Sequence, residues 1–156
     1  MPDQKPRVYL ICPVRRCTPE VRAEMDAYVA GLEARGYEVH YPPRDVDQRN
    51  DDGGVRICME HLDAMMGCDE IHAWWDPASS GSHFDLGMAY MLHAIRFVLH
   101  ARLGRAGIDE LREKHDIRVS DIPTFVVANP HQVKPDPEKS FTNVLLELAA
   151  RPRILT

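Results

Sequence analysis

The chain has 156 residues, of which 44% are hydrophobic and 28% charged, and its formal net charge is −5. This length suits one domain with its own core, so we expect a single domain over residues 1–156. A negative charge without a basic stripe argues against a nucleic-acid partner. No apolar run approaches the roughly 20 residues that span a bilayer, and the first residues lack a signal peptide's apolar stretch. We therefore expect a cytoplasmic protein with no membrane partner.

Strand and helix signals alternate along the first half of the chain. The apolar run Val8–Val14 predicts a strand, and Thr18-Pro19-Glu20 predicts a helix start with threonine as N-cap and proline in the first turn. That helix is expected to end at Gly36. The segment Tyr37–Tyr41 predicts a second strand, and Val55–Gly67 predicts a second helix.

The second half continues this alternation. In chain order it predicts a strand over Glu70–Trp75, a helix over His83–His93, a strand over Arg96–Leu99, a crossover with a short helix over Ile108–His115, a strand over Thr124–Ala128 and a last helix from Ser140. The pattern predicts a doubly wound, flavodoxin- or Rossmann-like α/β fold, with a five-stranded parallel sheet and helices on both faces. Ligands of such sheets bind at the carboxyl ends of the strands.

The loop SSGSHFD, residues 79–85, is the most informative of the loops at strand ends. Gly81 allows close approach to the backbone, Ser79 and Ser82 offer hydroxyls, and a helix start presents free N–H groups that suit an anion. Ser82 and Asp85 also fit a capping box, in which the carboxylate bonds back to the helix start. The local pattern therefore leaves two interpretations of Asp85 open, as a cap or as a reactive group.

Other candidates have similar alternatives. Arg15 and Arg16 follow the first strand and form either a phosphate clamp or a solvated surface pair. Strand alternation sends Trp74 and Trp75 to opposite faces, so that one packs in the core and the other is free to stack on a base. His61 lies one helical turn from apolar residues, which is typical of a core histidine.

The sequence gives little support to a metal site. Asp76, His83 and Asp85 are close in sequence, but nothing else marks them as ligands of a divalent ion. The four cysteines lack the paired close spacing of a zinc site. We expect no metal and no cofactor.

Two stretches, RVYLICPVRR and MEHLDAMMGCDEIHAWWDPASSGSHFDLGMAY, resemble in order and spacing the nucleoside 2-deoxyribosyltransferase family, which includes nucleotide N-glycoside hydrolases. The resemblance covers roughly the first two thirds of the chain and is densest from Met59 to Tyr90. It implies an enzyme that cleaves or transfers the N-glycosidic bond of a nucleoside or nucleoside 5′-monophosphate. It also implies a homodimer or larger oligomer, with the helices after the second and third strands at the contact.

The resemblance implies roles for individual residues. Tyr9 matches a tyrosine of the family's first strand, and Asp85 in FDLGMA matches the nucleophile, which is usually glutamate. Ser79 and Arg15 match the serine and arginine of the hydrolases that act on 5′-monophosphates. His61 falls where the family has an aspartate that assists the departing base or orients the nucleophile. We add Gly81, Ser82 and Trp75 as substrate-binding candidates.

The mechanism that the resemblance implies is covalent, with the carboxylate attacking C1′ as the base departs. Water then releases the sugar in a hydrolase, whereas a second base accepts it in a transferase. One alternative is a catalytically silent module that binds or senses a nucleotide in the same crevice. Another is a structural or oligomerisation domain without a small ligand.

Overall fold

A computed structural model describes residues 5–49, 53–115 and 123–151 of the chain. The elements, in chain order, are β1 (Arg7–Ile11), α1 (Pro19–Ala34), β2 (Glu38–His40), α2 (Pro42–Asp45), α3 (Val55–Met66), β3 (Glu70–Ala73), α4 (Ser80–His115), β4 (Thr124–Val127), a 3₁₀ turn (Pro130–Gln132) and α5 (Ser140–Ala150).

The described strands form one parallel sheet in the order β2-β1-β3-β4. The central strand β1 aligns Tyr9 with His40 of β2 on one side and with Ile71 of β3 on the other. The predicted mixed α/β fold with a parallel sheet is therefore confirmed, with four strands in the described part of the chain rather than the five expected. Residues 116–122 of the predicted crossover lie outside the described residues.

The predicted strand over Arg96–Leu99 is wrong, because this segment is helical. Helix α4 runs through it, and its buried residues Leu86, Ala89, His93 and Arg96 recur every three or four positions, which is the period of one helix face. The segment 96–99 resembles a buried strand only because the side chains outside the buried face of this helix are apolar as well. The predicted short helix near 108–115 is the last part of α4, after a break at Gly104, whose φ of 63° favours glycine.

Alternate residues of β1 pack into two separate core clusters. Val8 and Leu10 pack with residues of α1, whereas Tyr9 and Ile11 pack with residues of α3, α4 and α5. As alternation predicted, Trp74 and Trp75 enter different clusters. Among the described helices, none is both long and apolar enough to cross a membrane.

A buried arginine ties α4 to the end of α3. Arg96 is 4% exposed, and its Nη2 donates to the carbonyl oxygens of Met66 at 2.5 Å and Met65 at 3.4 Å. The last carbonyls of a helix have no partner within the helix, and this guanidinium supplies one for the Met66 carbonyl. Burial lowers the pKa of Arg96. The contact fixes the relative position of the two helices.

We expect Arg96→Ala to lower the free energy of unfolding by about 2–4 kcal/mol, because it removes hydrogen bonds from a charged donor and empties a buried site. Urea unfolding measures the change. Arg102→Ala, at an exposed position of the same helix, is the matched control and is expected to change stability by less than about 0.5 kcal/mol. Equal effects of the two substitutions would contradict the capping role of Arg96.

Candidate active site

The start of α4 excludes one of the two interpretations of Asp85, the cap. The helix begins at Ser80, and Ser79 immediately before it accepts a hydrogen bond from the Ser82 amide at 3.2 Å through its Oγ. Ser79 therefore caps the helix, and Asp85 lies in the second turn. The capping-box interpretation of Ser82 and Asp85 is wrong, because the helix begins earlier than the pattern indicated.

Asp85 instead forms a buried cluster with two residues that are distant in sequence. The Tyr9 hydroxyl donates to Oδ2 of Asp85 at 2.8 Å, and Nδ1 of His61 lies 3.0 Å from Oδ1. Tyr9, His61 and Asp85 are 0%, 7% and 5% exposed. The structure thus brings together the three residues that the sequence proposed as catalytic.

The periodicity of each element explains why these side chains meet. Tyr9 lies on the side of β1 that faces α3 and α4. His61 belongs to the buried face of α3 with Ile57 and Met65, at spacings of four residues. Asp85 belongs to the buried face of α4. Three apolar faces therefore converge, and each carries one polar residue to the same point.

The electrostatics assign the donor in the Tyr9–Asp85 bond. Burial and the adjacent Asp85 carboxylate raise the pKa of the Tyr9 phenol far above its ordinary value, and the same causes raise the pKa of the Cys12 thiol. At neutral pH both groups stay protonated, so Tyr9 donates and Asp85 accepts. Nε2 of His61 is buried and has no hydrogen-bond partner among the described residues.

Asp85 and His61 line a cleft of about 520 Å³, within the roughly 300–1,000 Å³ that is usual for small-molecule sites. The walls come from the loop after β1, the first two turns of α3, and the loop and helix start after β3. Two of these loops follow the carboxyl ends of neighbouring parallel strands, as expected for a ligand site in such a sheet.

Part of the cleft lining suits an anion. Arg15 and Arg16 line it and are exposed, and neither guanidinium forms an ion pair with a described residue. Ser79, Ser80 and Gly81 line it at the start of α4, where free backbone N–H groups and the helix dipole favour negative charge.

Two predicted substrate-binding residues lie elsewhere. The indole N–H of Trp75 donates to Thr142 at 2.8 Å, and its backbone amide donates to Oδ1 of Asn129 at 2.8 Å, so Trp75 joins the core to α5 and to the loop after β4. Ser82 is fully buried beside Ser79. Neither residue lines the cleft within the described part of the chain.

Sequence reasoning missed several residues of the cleft wall. Ile57 and Cys58 precede His61 by one turn on α3. The spacing of four from Ile57 to His61 was visible in the sequence and could have identified this wall. Gln48, from the polar segment before α3, gave no such signal.

The hypothetical metal ligands are engaged in other contacts. Asp76 accepts the Ala78 amide at 2.8 Å, and the His83 ring packs against Trp75 and Phe141. Over the described ranges, no group of three or more histidine, cysteine, aspartate or glutamate side chains could hold a metal ion.

Comparisons of the chain with known protein families, with characterised proteins and with solved structures find no match.

We expect Tyr9→Phe to lower the free energy of unfolding by about 1–3 kcal/mol, because it leaves a buried carboxylate oxygen without its donor. Urea unfolding at neutral pH measures the loss. Tyr37→Phe is the control, since the Tyr37 ring lies under Arg35, outside the Asp85 cluster. If both variants lose the same stability, the Tyr9–Asp85 bond does not stabilise the fold.

Proposed function

We propose that this protein cleaves or transfers the N-glycosidic bond of a nucleoside or nucleoside 5′-monophosphate, with Asp85 as the nucleophile. The observation that supports this most directly is a buried carboxylate that lines a nucleotide-sized cleft and has each oxygen held by a separate donor. Two fixed hydrogen bonds restrict the carboxylate to one orientation, which is what attack at a single carbon requires.

The proposed reaction has two steps. A carboxylate oxygen of Asp85 forms a bond to C1′, the C1′–N bond breaks, and its electron pair leaves on the base nitrogen. The departing base takes a proton from solvent in the open cleft, while the Nδ1–H of His61 stays on Asp85 and keeps the carboxylate oriented. In hydrolysis, water then attacks C1′, releases its proton to solvent, and displaces the Asp85 carboxylate; in transfer, the nitrogen of a second base takes the place of water.

The anion-binding part of the cleft supports a phosphorylated substrate. Arg15 supplies a guanidinium, which binds phosphate through paired hydrogen bonds, and Ser79 supplies the loop at the helix start. Both residues line the same cleft as Asp85. A ribosyl 5′-phosphate bound here keeps its phosphate at this loop while C1′ reaches the carboxylate.

The second candidate is a module that binds a nucleotide without turnover. It is favoured by the shortness of the Asp85 side chain, one methylene less than glutamate, together with the engagement of both carboxylate oxygens. The assay below separates the two candidates, because a binding module retains affinity but releases no base.

Two broader features also belong to the proposal. The core clusters on alternate sides of β1 support a doubly wound, Rossmann-like arrangement of the helices. The four cysteines are free, which fits a reducing compartment and supports a cytoplasmic location.

We further propose a homodimer whose contact is the outer face of α3 and α4. The exposed large apolar side chains of these helices are Val55, Met59, Met66, Phe84, Tyr90, Met91, Ile95, Phe97, Val98 and Leu103. On α4, four of them (Phe84, Met91, Ile95 and Val98) recur every three to seven residues and form a stripe along the helix. A contiguous apolar patch of this kind marks an association surface, and a twofold axis would place the stripe against its own copy.

We expect base release from at least one nucleoside 5′-monophosphate in a panel of nucleosides and monophosphates, assayed with and without a second base. Asp85→Asn is expected to lower the rate by a factor on the order of 10³ or more, since the nucleophile is lost while shape is kept. Arg15→Gln is expected to raise KM for the monophosphate about 10–100-fold and to leave the nucleoside KM unchanged. Chromatography of the free base provides the measurement.

Matched controls are Asp109→Asn and Arg102→Gln on the distal part of α4, for which we expect wild-type rates. Turnover that survives Asp85→Asn would refute the nucleophile assignment. Tight monophosphate binding by calorimetry with no release from any substrate would favour the binding module.

We expect light scattering after size exclusion to give twice the chain mass of 17.8 kDa. Ile95→Glu is expected to yield the monomer, because it places a charge in the apolar stripe. Ala30→Glu, at an exposed position of α1, is the matched control and should remain dimeric. A wild-type monomer at micromolar concentration, or a dimer unaffected by Ile95→Glu, would reject this contact.

A further inference from the structure

His40 is a half-buried polar group next to the candidate site that the proposed mechanism does not use. It ends the edge strand β2 and is the register partner of Tyr9 in the parallel pair with β1. The two rings stack, with centroids 5.4 Å apart and planes 12° from parallel. This separation and angle are typical of an offset stacked pair.

Tyr9 has a second ring neighbour. The His61 ring meets it edge-on, with centroids 5.8 Å apart and planes at 64°. One imidazole thus covers a face of the phenol, and another contacts it at an angle. His61 also hydrogen-bonds to Asp85. The stacked His40 ring contacts Tyr9, and the Tyr9 hydroxyl in turn donates to Asp85.

His40 is also separate from the substrate. Within the described part of the chain it does not line the cleft that contains Asp85, and it lines a different cavity of about 340 Å³ beside β2 and the end of α3. Its Nε2 is buried without a hydrogen-bond partner among the described residues. We therefore attribute the contact of His40 with Tyr9 to the flat shape of the imidazole ring and not to a hydrogen bond of Nε2.

The charge state of His40 suits stacking on a neutral phenol. Burial is the largest influence on the pKa of His40 and lowers it. Asp45 and Glu60 raise this pKa, whereas His61 and Arg44 lower it further. At neutral pH the ring is therefore uncharged.

We propose that His40 is a positioning residue, which holds the Tyr9 ring by stacking so that its hydroxyl keeps Asp85 oriented for the reaction. The proposal rests on the function proposed above for Asp85. Displacement of a reacting group by about 1 Å can cost a hundredfold in rate. Loss of the stack is therefore expected to reduce the chemical step and to leave substrate binding intact.

Four variants test the proposal: His40→Ala, His40→Phe, Tyr9→Phe and the double variant of His40→Ala with Tyr9→Phe. We expect His40→Ala to lower kcat about 10–100-fold with KM within about twofold of wild type. His40→Phe keeps a flat ring and is expected to recover most of kcat. In the Tyr9→Phe background, His40→Ala is expected to lower kcat less than about threefold, because the bond it supports is already absent.

Three results would overturn the proposal: an equal loss of kcat on His40→Ala with and without the Tyr9 hydroxyl, a change in KM alone, or a His40→Phe variant as impaired as His40→Ala. A purely structural role predicts additive losses in the two backgrounds.

A measurement that needs no turnover separates this proposal from the proposed function. Carbon-13 labelling of the tyrosine hydroxyl-bearing carbon gives a Tyr9 signal, identified by its loss in Tyr9→Phe. We expect this signal to move in His40→Ala and to stay nearer its wild-type position in His40→Phe. If no substrate is turned over but the signal moves, the proposed function fails and the positioning of Tyr9 stands; if the signal does not move, the positioning fails whatever the activity.

Discussion

The two hydrogen bonds that hold the buried Asp85 carboxylate are the constraint on which the rest of this structure depends. They join β1, α3 and α4. Tyr9 lies 76 residues from Asp85 along the chain, and His61 lies 24 residues from it. A charge buried to this extent is tolerated only when it is paired and hydrogen-bonded. The packing of both helices against the sheet must therefore place two donors at one point, and the Arg96 contact to the end of α3 helps to fix that placement.

The same constraint connects the fold to chemistry. Asp85 and His61 line the cleft, and Tyr9 lies in the core beside them. Arg15, Arg16 and the serine loop line the same cleft and form the proposed anion site. We propose that these groups serve reaction at one carbon of a phosphorylated ribosyl compound, and that the apolar stripe of α4 serves assembly.

Sequence reasoning predicted the parallel α/β sheet and the three clustered residues, because strand and helix periods are local signals and the family resemblance supplied the residue positions. It failed where burial depends on partners distant in sequence. The pattern predicts Ser82 as the cap because it does not show that Ser79 caps the helix three residues earlier. It favours a ligand contact for Trp75 because the actual partner, Thr142, lies on the last helix. The segment at 96–99 predicts a strand because a buried strand and an apolar helix both give unbroken hydrophobic residues.

The most direct test of the account is to identify the atom that carries the sugar during the reaction. The protein is incubated with a nucleoside 5′-monophosphate that it cleaves, quenched in acid and digested, and its peptides are weighed by mass spectrometry. The account predicts a ribosyl phosphate adduct on the peptide that contains Asp85, and no adduct in Asp85→Asn. An adduct on a different residue, or wild-type turnover by Asp85→Asn, would contradict it.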